Sequence, residues 1–162
     1  MIHCFEENSN LILKRVDLQL SGKSDNLPLQ VLRSSSPDES GKFIGTCSLR
    51  PMTPNEVMEV LNKVPKPKGE HGANVYELGY FIHPAWKGKG IVTVATKEII
   101  AWGKAEYDAA IVVRVAEDNI ESMKLVERIP QFVRVEENDD FADWPATKGG
   151  GRKKILFWKW QE

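Results

Sequence analysis

The strongest constraint on the fold is a change of hydrophobic period at Gly90. Before it, the segment from Val75 to His83 is largely apolar and alternates only in part, which predicts a strand buried on much of both faces. After it, apolar residues recur at helical spacing up to about Ala105, so a helix is expected there. The apolar run from Ala109 to Val115 predicts a second buried strand, parallel to the first. A strand, a helix and a parallel strand form one right-handed crossover, which predicts a mixed-sheet α/β or α+β fold.

Further strands are expected on both sides of this crossover. They are rich in branched and aromatic residues and are bounded by turn formers. The second and third should pair as a hairpin, because the polar segment between them holds Pro37 and Gly41. The predicted strands are Leu11 to Val16, Leu29 to Arg33 and Phe43 to Leu49, and then Phe132 to Val135 and Lys154 to Trp160 across a long loop from Glu136 to Lys153.

Two shorter helices are indicated by their start and stop signals. Thr53 and Glu56 have the spacing of a capping box, and the helix that they open should end near Val64. The second helix should begin in the run from Asp118 to Glu121. Pro130 stops it, because proline cannot continue the hydrogen-bond ladder of a helix.

The bulk properties limit the classes of function. A length of 162 residues suits a single domain, residues 1–162, and no apolar run is long enough to span a bilayer. The N-terminus lacks a basic start followed by an apolar stretch, so a cytoplasmic location is predicted. With 22 basic and 23 acidic residues well mixed, no global field would attract nucleic acid. Cys4 and Cys47 fit neither a disulfide framework nor a zinc spacing, and no metal site is expected.

The loop between the fourth strand and its helix has the chemistry of an anion site. Gly88 and Gly90 let the backbone approach a ligand closely, and Lys87 and Lys89 add positive charge. Free N–H groups at the positive end of a helix bind a pyrophosphate well. The spacing matches neither a P-loop nor the dinucleotide fingerprint. Taken alone, the loop could also be a simple connection.

A wider set of residues resembles the GNAT superfamily of N-acetyltransferases, and most closely its subgroup that acetylates ribosomal-protein N-termini. The matching features are Glu77-Leu78-Gly79-Tyr80, the Gly88-Lys89-Gly90 loop, and Asn119 with Ser122 and Glu127. The resemblance covers roughly Phe43 to Trp160. It implies a mixed, mostly antiparallel central sheet with a β-α-β-α half that binds acetyl-CoA as cosubstrate.

The resemblance also implies a role for each residue of the cofactor half. The fourth strand would offer main-chain groups to the pantetheine arm, the loop would surround the pyrophosphate, and Asn119 would hydrogen-bond the pantetheine arm. The implied main-chain partners are Phe81 and Ile82, and the implied pyrophosphate residues are Lys87, Gly88, Lys89, Gly90, Val92 and Thr93.

Catalysis requires a group that takes a proton from the acceptor amine, because only the neutral amine attacks. Glu77 matches a position where a carboxylate serves as this base in several members of the superfamily. Ser122 would lie near the thiol sulfur and donate a proton to the leaving thiolate. Glu77 could instead be a hydrogen-bonded strand carboxylate, Asn119 a helix cap and Ser122 a first-turn residue.

The function that follows is transfer of acetyl from acetyl-CoA to a primary amine, at a protein N-terminus or on a small molecule, by direct attack. Between Val16 and Leu29 there is little room for the two helices that build the acceptor site in the superfamily, so that region is expected to be shortened. A non-catalytic acyl-CoA-binding or interaction domain of the same fold is the alternative. A homodimer is also open, because the edge of the Trp-rich last strand could pair with a second copy.

Overall fold

The computed structural model describes residues 17–18, 29–33, 42–53, 55–57, 74–136, 139–144 and 146–161. The chain divides into two units, Met1–Arg50 with Gly79–Ala105, and Pro51–Leu78 with Glu106–Glu162. The predicted strand from Leu11 to Val16 and the predicted helix end near Val64 lie outside the described residues. That residues 1–162 form one domain stays a prediction.

The first unit is built on an antiparallel ladder. Strand β1 (Asp17–Leu18) pairs with β2 (Leu29–Arg33), and β2 pairs with β3 (Phe43–Pro51). The predicted hairpin of β2 and β3 is therefore confirmed, with Val31 opposite Thr46. The next strand, β4 (Val75–Ile82), begins in the second unit and ends in the first.

Helix α1 (Ile91–Tyr107) forms the helical part of the crossover. Its buried residues recur every three to four positions, as one apolar face requires. Thr96 on this face is fully buried, and its hydroxyl contacts the Cys47 thiol of β3 at 3.8 Å. Burial raises the pKa of the Cys47 thiol to about 12. The buried residues of α1 are Ile91, Val92, Ala95, Thr96, Ile99, Ile100 and Gly103.

The second unit contains the parallel pair. The first residues of β4 pair in parallel with β5 (Ala110–Ala116), with Glu77 opposite Val112. Strand β8 (Arg152–Trp160) lies antiparallel to β5, and β6 (Phe132–Arg134) lies antiparallel to β8. Helix α2 (Ile120–Glu127) follows β5. The predicted mixed fold with a mostly antiparallel sheet is confirmed.

The prediction for residues 136–153 was wrong in part. That segment contains strand β7 (Asp140–Asp143), which pairs antiparallel with the first half of β8, and a 3₁₀ turn at Ala146–Lys148. Strand β8 consequently begins at Arg152 and not at Lys154. The segment Asp-Phe-Ala-Asp has little apolar pattern of its own, so the ladder with β8 decides its conformation.

The predicted capping box is confirmed. The Thr53 N–H donates to Glu56 Oε2 at 2.7 Å, and the Glu56 N–H donates to Thr53 Oγ1 at 3.3 Å. Residues 55–57 are helical. Helix α2 ends before Pro130, as predicted.

Candidate functional site

The loop before α1 is shaped by a short 3₁₀ turn at Pro84–Trp86. The His83 ring accepts a hydrogen bond from the Ala85 N–H at Nδ1, 3.3 Å away, and so caps this turn. The Lys87 N–H donates to the Pro84 carbonyl at 3.2 Å. His83 is thus a structural residue of the loop.

Two glycines then take a backbone conformation that other residues rarely adopt. Gly88 has a φ of 74° and Gly90 a φ of 75°. A Cβ at either position would meet nothing within 4 Å, so the glycines are needed for their backbone angle and not for lack of space. The side chains of Lys87 and Lys89 are exposed on the same loop.

Gly90 opens helix α1. Its carbonyl accepts the Val94 N–H at 3.1 Å, which leaves the N–H groups of Ile91, Val92 and Thr93 in the first turn without a partner inside the helix. The Val92 side chain is only 7% exposed and lies on the buried face of α1. Its branch therefore packs into the core, while its N–H belongs to the first turn of α1.

Trp86 and Lys89 form a cation–π pair on this loop. The Lys89 ammonium lies 4.5 Å from the centre of the Trp86 ring, which is half-buried. Contacts of this kind hold a flexible lysine over an aromatic face. The pair therefore keeps one positive charge close to the start of α1.

The end of β4 lies close against β3. The His83 N–H donates to the Ile44 carbonyl at 2.7 Å, and a Cβ at Gly45 would lie 2.3 Å from the Phe81 carbonyl oxygen. The Phe81 carbonyl and the His83 N–H thus both lie beside β3. That Phe81 and Ile82 bind the pantetheine arm stays a prediction.

Asn119 caps helix α2. Its Oδ1 accepts the Ser122 N–H at 3.2 Å, and its carbonyl accepts the Met123 N–H at 3.0 Å. This cap uses the oxygen of the side-chain amide and leaves the two hydrogens on Nδ2 for a ligand acceptor. Capping and ligand binding are therefore compatible at Asn119. Ser122 lies in the first turn of α2 and is half-buried.

Glu77 is engaged by an arginine of the neighbouring strand. Arg114 donates from Nε to Glu77 Oε1 at 2.8 Å and from Nη2 to Oε2 at 2.9 Å. Both oxygens of the predicted base are thus bound by one guanidinium, in the bidentate geometry that makes such pairs strong. Glu77 and Arg114 share one face of the parallel pair, because Glu77 is opposite Val112 and Arg114 is two residues further along β5.

Residues 6–129 match the family model of the acetyltransferase (GNAT) domain. The chain belongs to the GNAT acetyltransferase family. This match includes the loop, β4, Glu77 and Asn119. No curated protein sequence matches the chain.

Solved structures of similar fold include several acetyltransferases. The NAA60 protein of Arabidopsis thaliana in complex with acetyl-CoA is 13% identical, with a TM-score of 0.68 over 85% of this chain and 77% of that one. The ribosomal-protein-alanine N-acetyltransferase of Brucella melitensis is 18% identical, with a TM-score of 0.56 over 82% and 67%. The ribosomal-protein-S5-alanine acetyltransferase of Vibrio fischeri is 18% identical, with a TM-score of 0.55 over 84% and 64%.

At these identities the likeness shows the fold alone. The chain spans 66% and 60% of the length of two further proteins of similar fold. The described part of the chain contains no helix that is long and apolar enough to cross a membrane. Within the same residues no group of three or more metal-binding side chains occurs.

Two features of the site were missed by sequence reasoning. The first is Arg114, a single charge inside the predicted apolar strand from Ala109 to Val115. A charged residue in a buried strand is expected to have a partner, and that signal could have pointed to Glu77.

The second missed feature is a pair of contacts that hold the segment before Asn119 in place. Lys153 Nζ donates to Asp118 Oδ2 at 2.6 Å, and the Glu117 N–H donates to the Lys154 carbonyl at 2.9 Å. The loop predicted from Glu136 to Lys153 includes these residues only in part, because strand β8 already begins at Arg152. The first residues of β8 thus stabilise the turn between β5 and α2.

Proposed function

We propose that this chain is an N-acetyltransferase that moves the acetyl group of acetyl-CoA to a primary amine. The observation that carries the proposal is the Gly88–Gly90 loop at the start of α1. It combines two glycines of left-handed backbone, two exposed lysines and first-turn N–H groups without helical partners. Membership of the GNAT family supplies the donor, acetyl-CoA.

The residues present are suited to hold this cosubstrate. We assign the pyrophosphate to the loop and the first turn of α1, where N–H groups and lysine charge favour an anion. Phe81 and Ile82 would offer main-chain groups to the pantetheine arm, and Asn119 Nδ2 would donate to one of its carbonyls. The residues assigned to the pyrophosphate are Lys87, Gly88, Lys89, Gly90, Val92 and Thr93.

The proposed reaction begins with an acceptor ammonium that must lose a proton. Glu77 takes this proton, directly or through a water molecule. The neutral nitrogen then attacks the thioester carbonyl carbon, so that the C–N bond forms and the C–S bond breaks. The nitrogen loses its second proton to solvent, and the thiolate receives one from Ser122 or from water. The products are the amide, the thiol of CoA and one released proton.

The acceptor that we propose first is a protein N-terminus. Two of the solved structures of similar fold are named as acetyltransferases of ribosomal-protein alanine. A small amine is the second class of acceptor. A peptide with a free N-terminal alanine and a polyamine are therefore the first substrates to compare.

One observation favours a second function, that of a binding domain without catalysis. Both oxygens of Glu77 accept hydrogen bonds from Arg114, and a carboxylate engaged in this way is poorly placed to take a proton. A protein with this arrangement could bind acetyl-CoA and use it only as a ligand.

Calorimetry and a thiol-release assay separate these functions. We expect acetyl-CoA to bind and CoA thiol to be released when the amine is added. Glu77→Gln should lower turnover without weakening acetyl-CoA binding, whereas Glu117→Gln, the same change on an exposed residue, should alter neither. Binding without thiol release from any amine would support the binding domain, and no binding at all would contradict both functions.

A further inference from the structure

Arg114 joins carboxylates from two different elements. Its guanidinium forms the two short bonds to Glu77 of β4, and its Nη2 also lies 3.8 Å from Oε1 of Glu56. All three side chains are partly buried, with 30% of Arg114, 18% of Glu77 and 27% of Glu56 exposed. One cation is therefore flanked by two anions in a setting that screens their charges only in part.

The two carboxylates are held in different ways. Glu77 gives both of its oxygens to Arg114. Glu56 Oε2 accepts the hydrogen bond of the Thr53 N–H within the capping box. The other oxygen, Glu56 Oε1, faces Arg114. The cap fixes Glu56 in place, so the distance from Arg114 to Glu56 is set by the start of the helix at residues 55–57.

This arrangement bears on how Glu77 could serve as a base. While the guanidinium occupies both oxygens, a proton from the acceptor competes with two charge-assisted bonds. If Arg114 simply left, a partly buried cation would lose its partner, which is costly. Glu56, a second carboxylate 3.8 Å from Arg114 Nη2, keeps the guanidinium paired and so removes the cost of an unpaired cation.

We propose that Arg114 is a positioning residue that transfers its guanidinium from Glu77 to Glu56 when the acceptor ammonium arrives. The inference rests on the proposed function. Nη2 lies 2.9 Å from Glu77 and 3.8 Å from Glu56, so a shift of about 1 Å brings it to hydrogen-bond distance of Glu56. The incoming ammonium repels Arg114 and replaces it as the cation beside Glu77. Glu77 Oε1 or Oε2 then accepts the proton, and Arg114 returns after the proton has left to solvent.

The decisive variant is Glu56→Gln, because it removes the receiving charge and keeps the cap. Glutamine suits this position of a capping box as well as glutamate does. We expect kcat to fall by about tenfold, which corresponds to about 1.4 kcal/mol of barrier, with the KM and affinity for acetyl-CoA unchanged. Thr53→Ala is the matched control, since it removes the hydroxyl that accepts the Glu56 N–H but keeps the Thr53 N–H that holds Glu56 Oε2. It should lower thermal stability without lowering kcat.

A double-mutant cycle with Arg114→Met tests whether Glu56 acts through Arg114. In the Arg114→Met background, Glu56→Gln should change kcat by less than about twofold, because no guanidinium remains to be received. Equal effects of Glu56→Gln in both backgrounds would overturn the inference. If Arg114→Met does not fold, the single variant still decides, since a kcat that Glu56→Gln leaves unchanged overturns the inference.

Different outcomes contradict acetyl transfer and the movement of Arg114 from Glu77 to Glu56. The assay uses acetyl-CoA and a peptide with a free N-terminal alanine. Absence of thiol release by the unchanged protein would overturn the proposed function, and the inference with it. Thiol release that falls on Glu77→Gln but not on Glu56→Gln would overturn the inference alone.

Discussion

Gly90 sets the backbone angle with which the loop enters helix α1. Its φ of 75° lies in the left-handed region, where a residue with a Cβ costs roughly 1–2 kcal/mol. Gly90→Ala should therefore unfold more easily, and the first turn of α1 should lose the shape that we assign to the pyrophosphate. We expect acetyl-CoA affinity, measured by calorimetry, to fall by about tenfold.

Gly151 provides the control for this change. Its φ is 77°, and a Cβ at this position would meet nothing within 4 Å, but Gly151 lies in the turn before β8. Gly151→Ala should lose a similar amount of stability and bind acetyl-CoA as the unchanged protein does. Equal losses of affinity in both variants would contradict the assignment of the loop before α1 to the acetyl-CoA site.

Gly45 is required for the opposite reason, because its surroundings are crowded. A Cβ there would lie 2.3 Å from the Phe81 carbonyl oxygen, a backbone atom that cannot turn aside. Gly45→Ala should destabilise the protein by about 1–3 kcal/mol, the usual range for overpacking. Gly79→Ala meets the Ser48 hydroxyl at 3.3 Å and should cost less. Denaturant unfolding compares the two, and an equal cost would contradict the close approach of β3 and β4.

At the scale of elements, the sequence predicted what depends on local pattern. The apolar run that begins at Ala109 predicted β5, and the change of period at Gly90 predicted α1. Both signals are local, because burying a face of a strand or helix fixes the spacing of its apolar residues. Strand β7 was missed because Asp140 and Asp143 carry no such pattern. The Arg114–Glu77 pair was missed because its partners are 37 residues apart, a contact that only the parallel register of β4 and β5 creates.

The link between β6 and β8 should be sensitive to acid. Arg134 of β6 binds Asp139 at 2.6 Å, and Lys154 of β8 lies 3.5 Å from the same carboxylate. Burial raises the pKa of Asp139, but the Arg134 and Lys154 side chains lower it further, so that its pKa lies below the ordinary 3.8. The folded carboxyl thus has the lower pKa, and its contribution to stability is present above about pH 4 and is lost as pH falls through the folded pKa.

Asp139→Asn tests this contribution. At neutral pH the variant should be less stable by about 2 kcal/mol, the scale of a hydrogen bond to a charged group. The difference from the unchanged protein should shrink as the pH of the denaturation experiment is lowered below about 4. Asp143→Asn, at an exposed position of β7, serves as the comparison. A difference that stays constant with pH would show that Asp139 acts through shape and not through charge.

At the scale of the whole molecule, the formal net charge is only −1. A field of this size neither attracts nor repels a polyanion such as acetyl-CoA, so any salt dependence of binding must come from cations near the site. Lys89 and Lys97 allow the local and global contributions to be separated. Removing either one changes the net charge from −1 to −2, while only Lys89 belongs to the loop before α1.

Lys89→Ala should therefore weaken acetyl-CoA binding by about three- to tenfold at low salt, a loss of roughly 1 kcal/mol. It should also flatten the fall of affinity with rising salt, because one fewer cation faces the phosphates. Lys97→Ala, on an exposed position of α1, should leave the affinity and its salt dependence close to those of the unchanged protein. Calorimetric titrations at low and high sodium chloride measure both quantities. Equal weakening by the two substitutions would assign the effect to net charge, and the pyrophosphate would then have to bind elsewhere than at the Gly88–Gly90 loop.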